Sequence, residues 1–208
     1  MDADMAEHEP CIGATDDWYT PPDIFDALGL IFDLDPSSPG PAHWVPARKI
    51  YTKEDDGLVQ PWSGTVFMNP PFGHNGHVPW LRTFLAHGDG VAIVRAYTNS
   101  AWFHQWAVKA QTMCFPRGKT KFIRPDGSIG RAPGHGVVLL GMGAVANKAL
   151  EQCGLGFFVP IDPCDATVID GEGTALAQML ELGNSAALLL TLGLTAASDP
   201  TGTPPRAT

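Results

Sequence analysis

Thr65-Val66-Phe67-Met68-Asn69-Pro70-Pro71-Phe72 is the stretch that decides the fold. Val66, Phe67 and Met68 form a continuous apolar run, the pattern of a strand buried on both faces. The run stops at an asparagine and two prolines, and a proline has no N–H to give to a sheet ladder. A buried strand that ends in a rigid polar loop belongs to sheets that bind ligands beyond the carboxyl ends of their strands.

The same pattern recurs on both sides. Upstream, Leu30 to Leu34 is a short apolar run that stops at Asp35-Pro36, followed by a Pro-, Ser- and Gly-rich loop over 36–47. Downstream, Gly90–Val94, Thr112–Phe115 and Val137–Leu140 read as further strands. Helical patterns separate them. One begins near Pro21 or Pro22, with Thr20 available as a cap, carries Ile24, Phe25 and Leu28 on one face, and stops at Gly29. A second spans Val78–His87, with Trp80, Leu81, Phe84 and Leu85 apolar. A third runs from a Ser100 cap to Ala110, and Trp102, Phe103 and Trp106 at helical spacing read as core. Strands alternating with helices predict an α/β domain whose sheet is largely parallel and covered by helices on both faces.

A chain of 208 residues, 44% hydrophobic, has room for one sizeable core. Residues 1–15 are polar, acidic and aperiodic and read as disordered; 16–143 carry the α/β pattern. Residues 144–198 read as an extension of unknown role packing on that domain, and 199–208 as a Thr/Pro-rich disordered tail. No window reads as a signal peptide. The apolar stretch Thr174–Ala197 is broken by Glu181, Gly183, Asn184 and Ser185, so no membrane role is expected. Cys11, Cys114, Cys153 and Cys164 form no CxxC pair, which argues for reduced thiols in a cytosolic protein.

The net charge of -9 disfavours an anionic partner until its distribution is read. Residues 1–64 hold 3 Lys/Arg against 13 Asp/Glu, and 144–208 hold 2 against 7. Residues 65–143 hold 8 against 2, a local net of +6. Attraction to phosphates acts within a Debye length, so this middle segment can meet a polyanion.

Asn69 and Pro70 suggest the chemistry. An amine on a heteroaromatic ring is a poor nucleophile because its lone pair is delocalised. Two acceptors aimed at its two N–H bonds draw the nitrogen toward pyramidal geometry and hold it in line for attack. Asn69 offers a side-chain carbonyl and Pro70 a backbone carbonyl. Pro70 and Pro71 restrict φ and hold the acceptors rigidly. Phe72 offers a flat face for a base taken out of its stack.

The wider motif set resembles the phage-type (Dam-like) DNA N6-adenine methyltransferases. The pieces are Trp18-Tyr19-Thr20-Pro21, Asp33-Leu34-Asp35-Pro36-Ser37-Ser38, Tyr51-Thr52 with Asp55-Asp56-Gly57-Leu58, Trp62 with Gly64, Asn69-Pro70-Pro71-Phe72, and Cys114-Phe115-Pro116-Arg117-Gly118-Lys119 with Lys121-Phe122. Together they run from about Asp17 to Gly143. The resemblance implies a Rossmann-like class I methyltransferase that uses S-adenosylmethionine to methylate adenine N6 in a flipped-out DNA base, with no covalent enzyme intermediate. It implies a bacterial or phage-infected cytoplasm as the setting. Trp18, Thr20 and Pro21 then close over the methionine end of the cofactor. Asp33, Asp35, Pro36 and Ser37 form the loop after the first strand, with Asp35 facing the cofactor's amino group, where a carboxylate suits an ammonium. Glu54, Asp55, Asp56 and Leu58 lie where ribose or adenine contacts are made, without an individual assignment among the acids. The glycine-rich FxGxG loop common in methyltransferases is absent; Pro36-Ser37-Ser38-Pro39-Gly40 stands in its place.

Arg117, Lys119, Lys121, Arg124 and Arg131 are the expected phosphate contacts. Phe122 reads as core or as a stacking group. His74, Asn75 and His77 lack the further ligands a metal site needs, and methyl transfer requires none; His74 and His77 read instead as loop contacts to the base or backbone. Other planar amines and amides (cytosine N4, an RNA base, a protein glutamine) suit the same acceptors. So does an inactive binding protein that keeps the fold.

Overall fold

The computed structural model describes residues 18–40, 43–71, 76–124, 126–130 and 135–162. The expected disordered N-terminus, the apolar stretch Thr174–Ala197, the tail from Asp199, and Phe72, His74, Asn75, Arg131, Cys11 and Cys164 lie outside the described residues.

The elements run in the order α1 (Pro22–Leu28), β1 (Phe32–Asp35), β2 (Ala47–Ile50), β3 (Val66–Met68), α2 (His77–His87), β4 (Gly90–Arg95), α3 (Ala101–Gln105), β5 (Thr112–Pro116), β6 (Val137–Met142), α4 (Ala144–Gln152) and β7 (Gly156–Pro160). Pro22 occupies the first turn of α1, where a missing N–H costs nothing. Pro21 takes the N-cap position and no side chain caps the helix, so the expected Thr20 cap does not form. Gly29 ends α1 in the left-handed conformation (φ 61°), its N–H donating to the Phe25 carbonyl. The expected long third helix is interrupted: α3 ends at Gln105 and a 3-10 turn covers Ala107–Lys109.

The seven strands form one sheet in the order β2-β1-β3-β4-β6-β5-β7. β1 pairs in parallel with β2 and β3, and β3 with β4. The other three pairings, β4 with β6 and β5 with both β6 and β7, are antiparallel. The sheet is therefore mixed, and the expectation of a largely parallel sheet is corrected. The reason lies in the connections: a parallel neighbour needs a crossover, usually helical. α3 provides one between β4 and β5, which sit apart. The link from β5 to β6 carries no helix among the described residues, and β6 returns between the two strands in the opposite sense.

The strands feed two cores, one on each face, and in β3, β4 and β6 they do so by strict alternation. Leu34, Val66, Met68, Ala92, Val94 and Leu140 pack with Leu81 and Phe84 of α2 and Phe103 of α3. Phe32, Phe67, Val91, Ile93 and Leu139 pack on the opposite face with Ile24, Phe25 and Leu28 of α1 and Ala146 and Leu150 of α4. Helices do cover both faces. Cys114 and Cys153 are free thiols, Sγ to Sγ 3.9 Å, in the second core; burial and the neighbouring sulfur push Cys114 up to about 12. Among the described residues, no helix is long and apolar enough to cross a membrane, and no three His, Cys, Asp or Glu side chains cluster to hold a metal ion.

Candidate active site

The carboxyl ends of β1 and β3 open into a cleft of about 710 Å³, the size range of small-ligand sites. It is lined by Trp18, Tyr19, Thr20, the loop Asp35–Pro39, His43, Trp44, Val45, Thr52, Lys53, Glu54, Asp56, Gly57, Phe67, Asn69, Pro70, Pro71 and Trp80. The lining is about equally polar and apolar, which suits a ligand that is partly aromatic and partly charged.

The Asp35–Ser38 loop is built by hydrogen bonds that its short polar side chains make possible. The Asp35 carboxylate accepts the Ser37 N–H (3.1 Å), and the Asp35 carbonyl accepts the Tyr51 N–H (2.9 Å). Ser38 N–H donates to the Tyr51 carbonyl at 2.9 Å. The Ser37 hydroxyl accepts the Asn69 N–H (3.1 Å), so the loops after β1 and β3 are tied to each other. Gly57 completes this side: its backbone passes so close to the Pro36 carbonyl that a side chain there would collide with it. The Asp35 side chain is 2% exposed. Burial pushes its carboxyl up to about 7, although bonds from Ser37 and Ser38 pull the other way. A buried carboxyl poised near neutrality, with no cation beside it in the cleft lining except Lys53, is a natural counter-charge for a ligand's ammonium.

Asn69 is the second polar centre. Its Nδ2 donates to the Trp18 carbonyl at 2.7 Å, which fixes the amide orientation, since only the nitrogen end can donate. Its Oδ1 is buried and has no hydrogen-bond partner among the described residues. Neither has the Oγ1 of Thr20, another buried group in the cleft lining. Buried polar atoms without partners are rare and costly, and these two belong to residues of the cleft lining.

The family model for DNA N-6-adenine-methyltransferase (Dam) matches residues 11–137, more than half of the chain. The chain belongs to the Dam family. It matches no curated protein and no solved structure. The Dam match takes in β1 through the start of β6, and with them Asp35, Asn69 and the basic loop; α4 and β7 lie beyond it.

For this Dam-family chain, the cleft gathers many of the residues expected from sequence. Asn69, Pro70 and Pro71 line it, as do Trp18, Thr20, Asp35, Pro36, Ser37, Glu54 and Asp56. Pro21, Asp33, Asp55 and Leu58 do not. Asp33 binds Arg48 (2.6 Å) and accepts the Thr65 N–H (2.9 Å), contacts that hold its carboxyl below the usual range and splice β1 to its neighbours. Asp55 accepts from the Thr52 N–H and hydroxyl, both at 2.8 Å, and closes a turn. His77, expected at the nucleic acid, is buried in the first turn of α2 with its ring 4.4 Å from that of Trp102. Desolvation, with the Arg95 charge adding, lowers its pKa. Phe122 is buried core. Arg117, Lys119, Lys121 and Arg124 are exposed on the loop after β5, at the same sheet edge as the cleft. Sequence reasoning missed Tyr19, Ser38, Trp44 and Trp80. Trp80 follows the apolar spacing of α2 and so reads as core; Trp44, whose Nε1 donates to the Thr20 carbonyl at 2.7 Å, sits in a loop without period.

Proposed function

We propose that this chain methylates adenine N6 in DNA with S-adenosylmethionine, on a base flipped out of the duplex, within a Rossmann-like class I fold in a bacterial or phage-infected cytoplasm. The observation that carries the reading is Asn69, whose Nδ2 is held by the Trp18 carbonyl and whose buried Oδ1 has no partner among the described residues, in a cleft lined also by Pro70 and Asp35.

The residues present fit the cofactor. Asp35 suits the ammonium of its methionine end, the Thr20 hydroxyl lacks a partner, and Glu54 and Asp56 are carboxylates for ribose hydroxyls or the adenine amine. Bound there, S-adenosylmethionine supplies a methyl carbon made electrophilic by its sulfonium. The protein's task is then positioning. Asn69 Oδ1 and the Pro70 carbonyl accept the two N–H bonds of the target amine and draw its lone pair out of conjugation. Phe72 stacks on the extruded base, and Arg117, Lys119, Lys121 and Arg124 hold the phosphates. No strong general base is needed, because the proton leaves after the nitrogen has gained its fourth bond.

The deciding experiment is incubation with S-adenosylmethionine and unmethylated DNA, followed by nucleoside mass spectrometry. N6-methyladenine is the expected product. N4-methylcytosine would reassign the base, and no methylated nucleoside would remove DNA as the substrate.

A further inference from the structure

The segment Trp18–Thr20 is gripped by the loop after β5. Tyr19 N–H donates to the Ile123 carbonyl (2.8 Å), and Ile123 N–H donates to the Tyr19 carbonyl (2.9 Å). Ile123 also bridges to Ile129, and Gly130 N–H donates to the Phe122 carbonyl at 2.8 Å. Gly130 lies hard against the Trp18 indole; a Cβ there would stand 2.5 Å from Cζ3. The Arg124 guanidinium lies over the same ring, 5.5 Å from its centroid. The Trp18 carbonyl takes the Asn69 Nδ2 donor. A carboxamide is nearly the same shape either way round, so its hydrogen-bond partners decide which end faces the cleft.

We propose that Trp18 is a positioning residue for Asn69, clamped by the loop after β5. Ile123, Arg124 and Gly130 hold Trp18 so that its carbonyl retains Nδ2 and leaves Oδ1 facing a ligand. The catalytic weight of this clamp rests on the reading of Asn69 as the acceptor for the target amine; its geometry does not. The loop that carries the basic residues is thereby linked to the reacting centre through one backbone carbonyl.

The test uses Gly130→Ala, whose methyl group must displace the indole, and Gly130→Ala with Trp18→Phe, which removes the far ring atoms that the methyl would meet. Ile129→Ala, an exposed position on the same loop, is the control. The first readout is the Asn69 carboxamide signal pair in a nitrogen-15 NMR spectrum, assigned by its loss in Asn69→Ala. Gly130→Ala is expected to shift these signals and speed their exchange with water; the double variant restores them. The second readout is kinetics on unmethylated duplex DNA. Gly130→Ala is expected to lower kcat by about 10–100-fold, the scale of a small misplacement of a reacting group, with little change in the KM for DNA. Arg124→Ala, a surface change, is expected to move the carboxamide signals in the same direction and keeps the test open if Gly130→Ala fails to fold. Unmoved carboxamide signals in the folded variants overturn the clamp. Moved signals with unchanged kcat overturn its role in turnover. A wild-type protein that methylates no DNA defeats the proposed function, while the carboxamide spectrum still decides the clamp.

Discussion

On the proposed function, Asn69 and Asp35 carry the chemistry of the cleft, and each gives a separable prediction. Replacing Asn69 by Ala removes one preorganised acceptor, and the expected loss in turnover is about 10²–10³-fold. Cofactor affinity, measured by calorimetry, is expected to stay unchanged, because the Asp35 loop keeps its own bonds to Tyr51. Near wild-type turnover would remove Asn69 from catalysis. Asp35 behaves differently because its folded pKa stands near 7 against an ordinary value of 3.8. Between those values the folded protein binds more protons than the unfolded chain. Stability from this group is therefore lost as pH rises through that window, and the loss is complete above about 7. Asp35→Asn is expected to match the wild type near pH 4 and to melt higher at pH 8, by up to about 4 kcal/mol for roughly three pKa units. The same variant is expected to bind S-adenosylmethionine more weakly by about 1.5–3 kcal/mol at pH 8, the scale of a lost charge-assisted hydrogen bond. Thermal melts and calorimetry at the two pH values check both halves; a variant no more stable than wild type at pH 8 would show that the carboxylate is not penalised by burial.

Elements were legible where burial leaves a continuous or helical apolar pattern. β1, β3, β4, β5 and β6 announce themselves in sequence because β-strand interiors here face helices on both sides. β2 does not: it is an edge strand, Arg48 and Lys49 point to solvent, and an Ala-Arg-Lys-Ile run has neither alternation nor an apolar stretch. β7 is the opposite edge and α4 buries only Ala146 and Leu150, so both were hidden in an anonymous extension. Asp33 stands apart from the expected cofactor set. Its motif neighbour Asp35 lines the cleft, while the Arg48 guanidinium and the Thr65 N–H occupy the Asp33 carboxylate outside that lining. Asp33→Ala is accordingly expected to lower Tm while leaving S-adenosylmethionine affinity unchanged; a weakened affinity in calorimetry would return Asp33 to the cofactor site. The stop of α1 gives a cleaner measurement. Around Gly29 there is open space, so Gly29→Ala meets only the strain of its left-handed backbone. A destabilisation of about 1–2 kcal/mol with unchanged activity is expected from chemical denaturation.

Across the whole molecule, the strand order sorts charge along one edge of the sheet. Asp35, Glu54 and Asp56 lie toward the β1 and β2 end, and Arg95, Arg117, Lys119 and Lys121 toward β4 and β5, with Asn69 between them. A cationic cofactor and an anionic duplex can thus approach a single edge from opposite ends. The sequence carried this sorting as a basic middle segment, and the crossover through α3, which makes β5 run in the same sense as β4, brings the loop after β5 to the edge that holds the cleft. Replacing Arg117, Lys119 and Lys121 together is expected to weaken DNA binding and to flatten its salt dependence. Each lost phosphate contact removes about 0.9 from the slope of log affinity against log salt. Cofactor affinity is expected to hold. An unchanged slope in filter binding would make the segment ordinary surface.

The division between the two edges of the sheet reaches beyond chemistry. The front edge is stiffened by Pro36, Pro39, Pro70 and Pro71, while on the back the chain reverses at Gly29 and Gly88, both in open space. Gly29 is exposed, and so is Ile31 just after it. A tether, fluorescent label or fused partner attached at this rear turn would leave the front free, so the molecule could be carried to a chosen stretch of DNA or fixed to a support with its working edge outward.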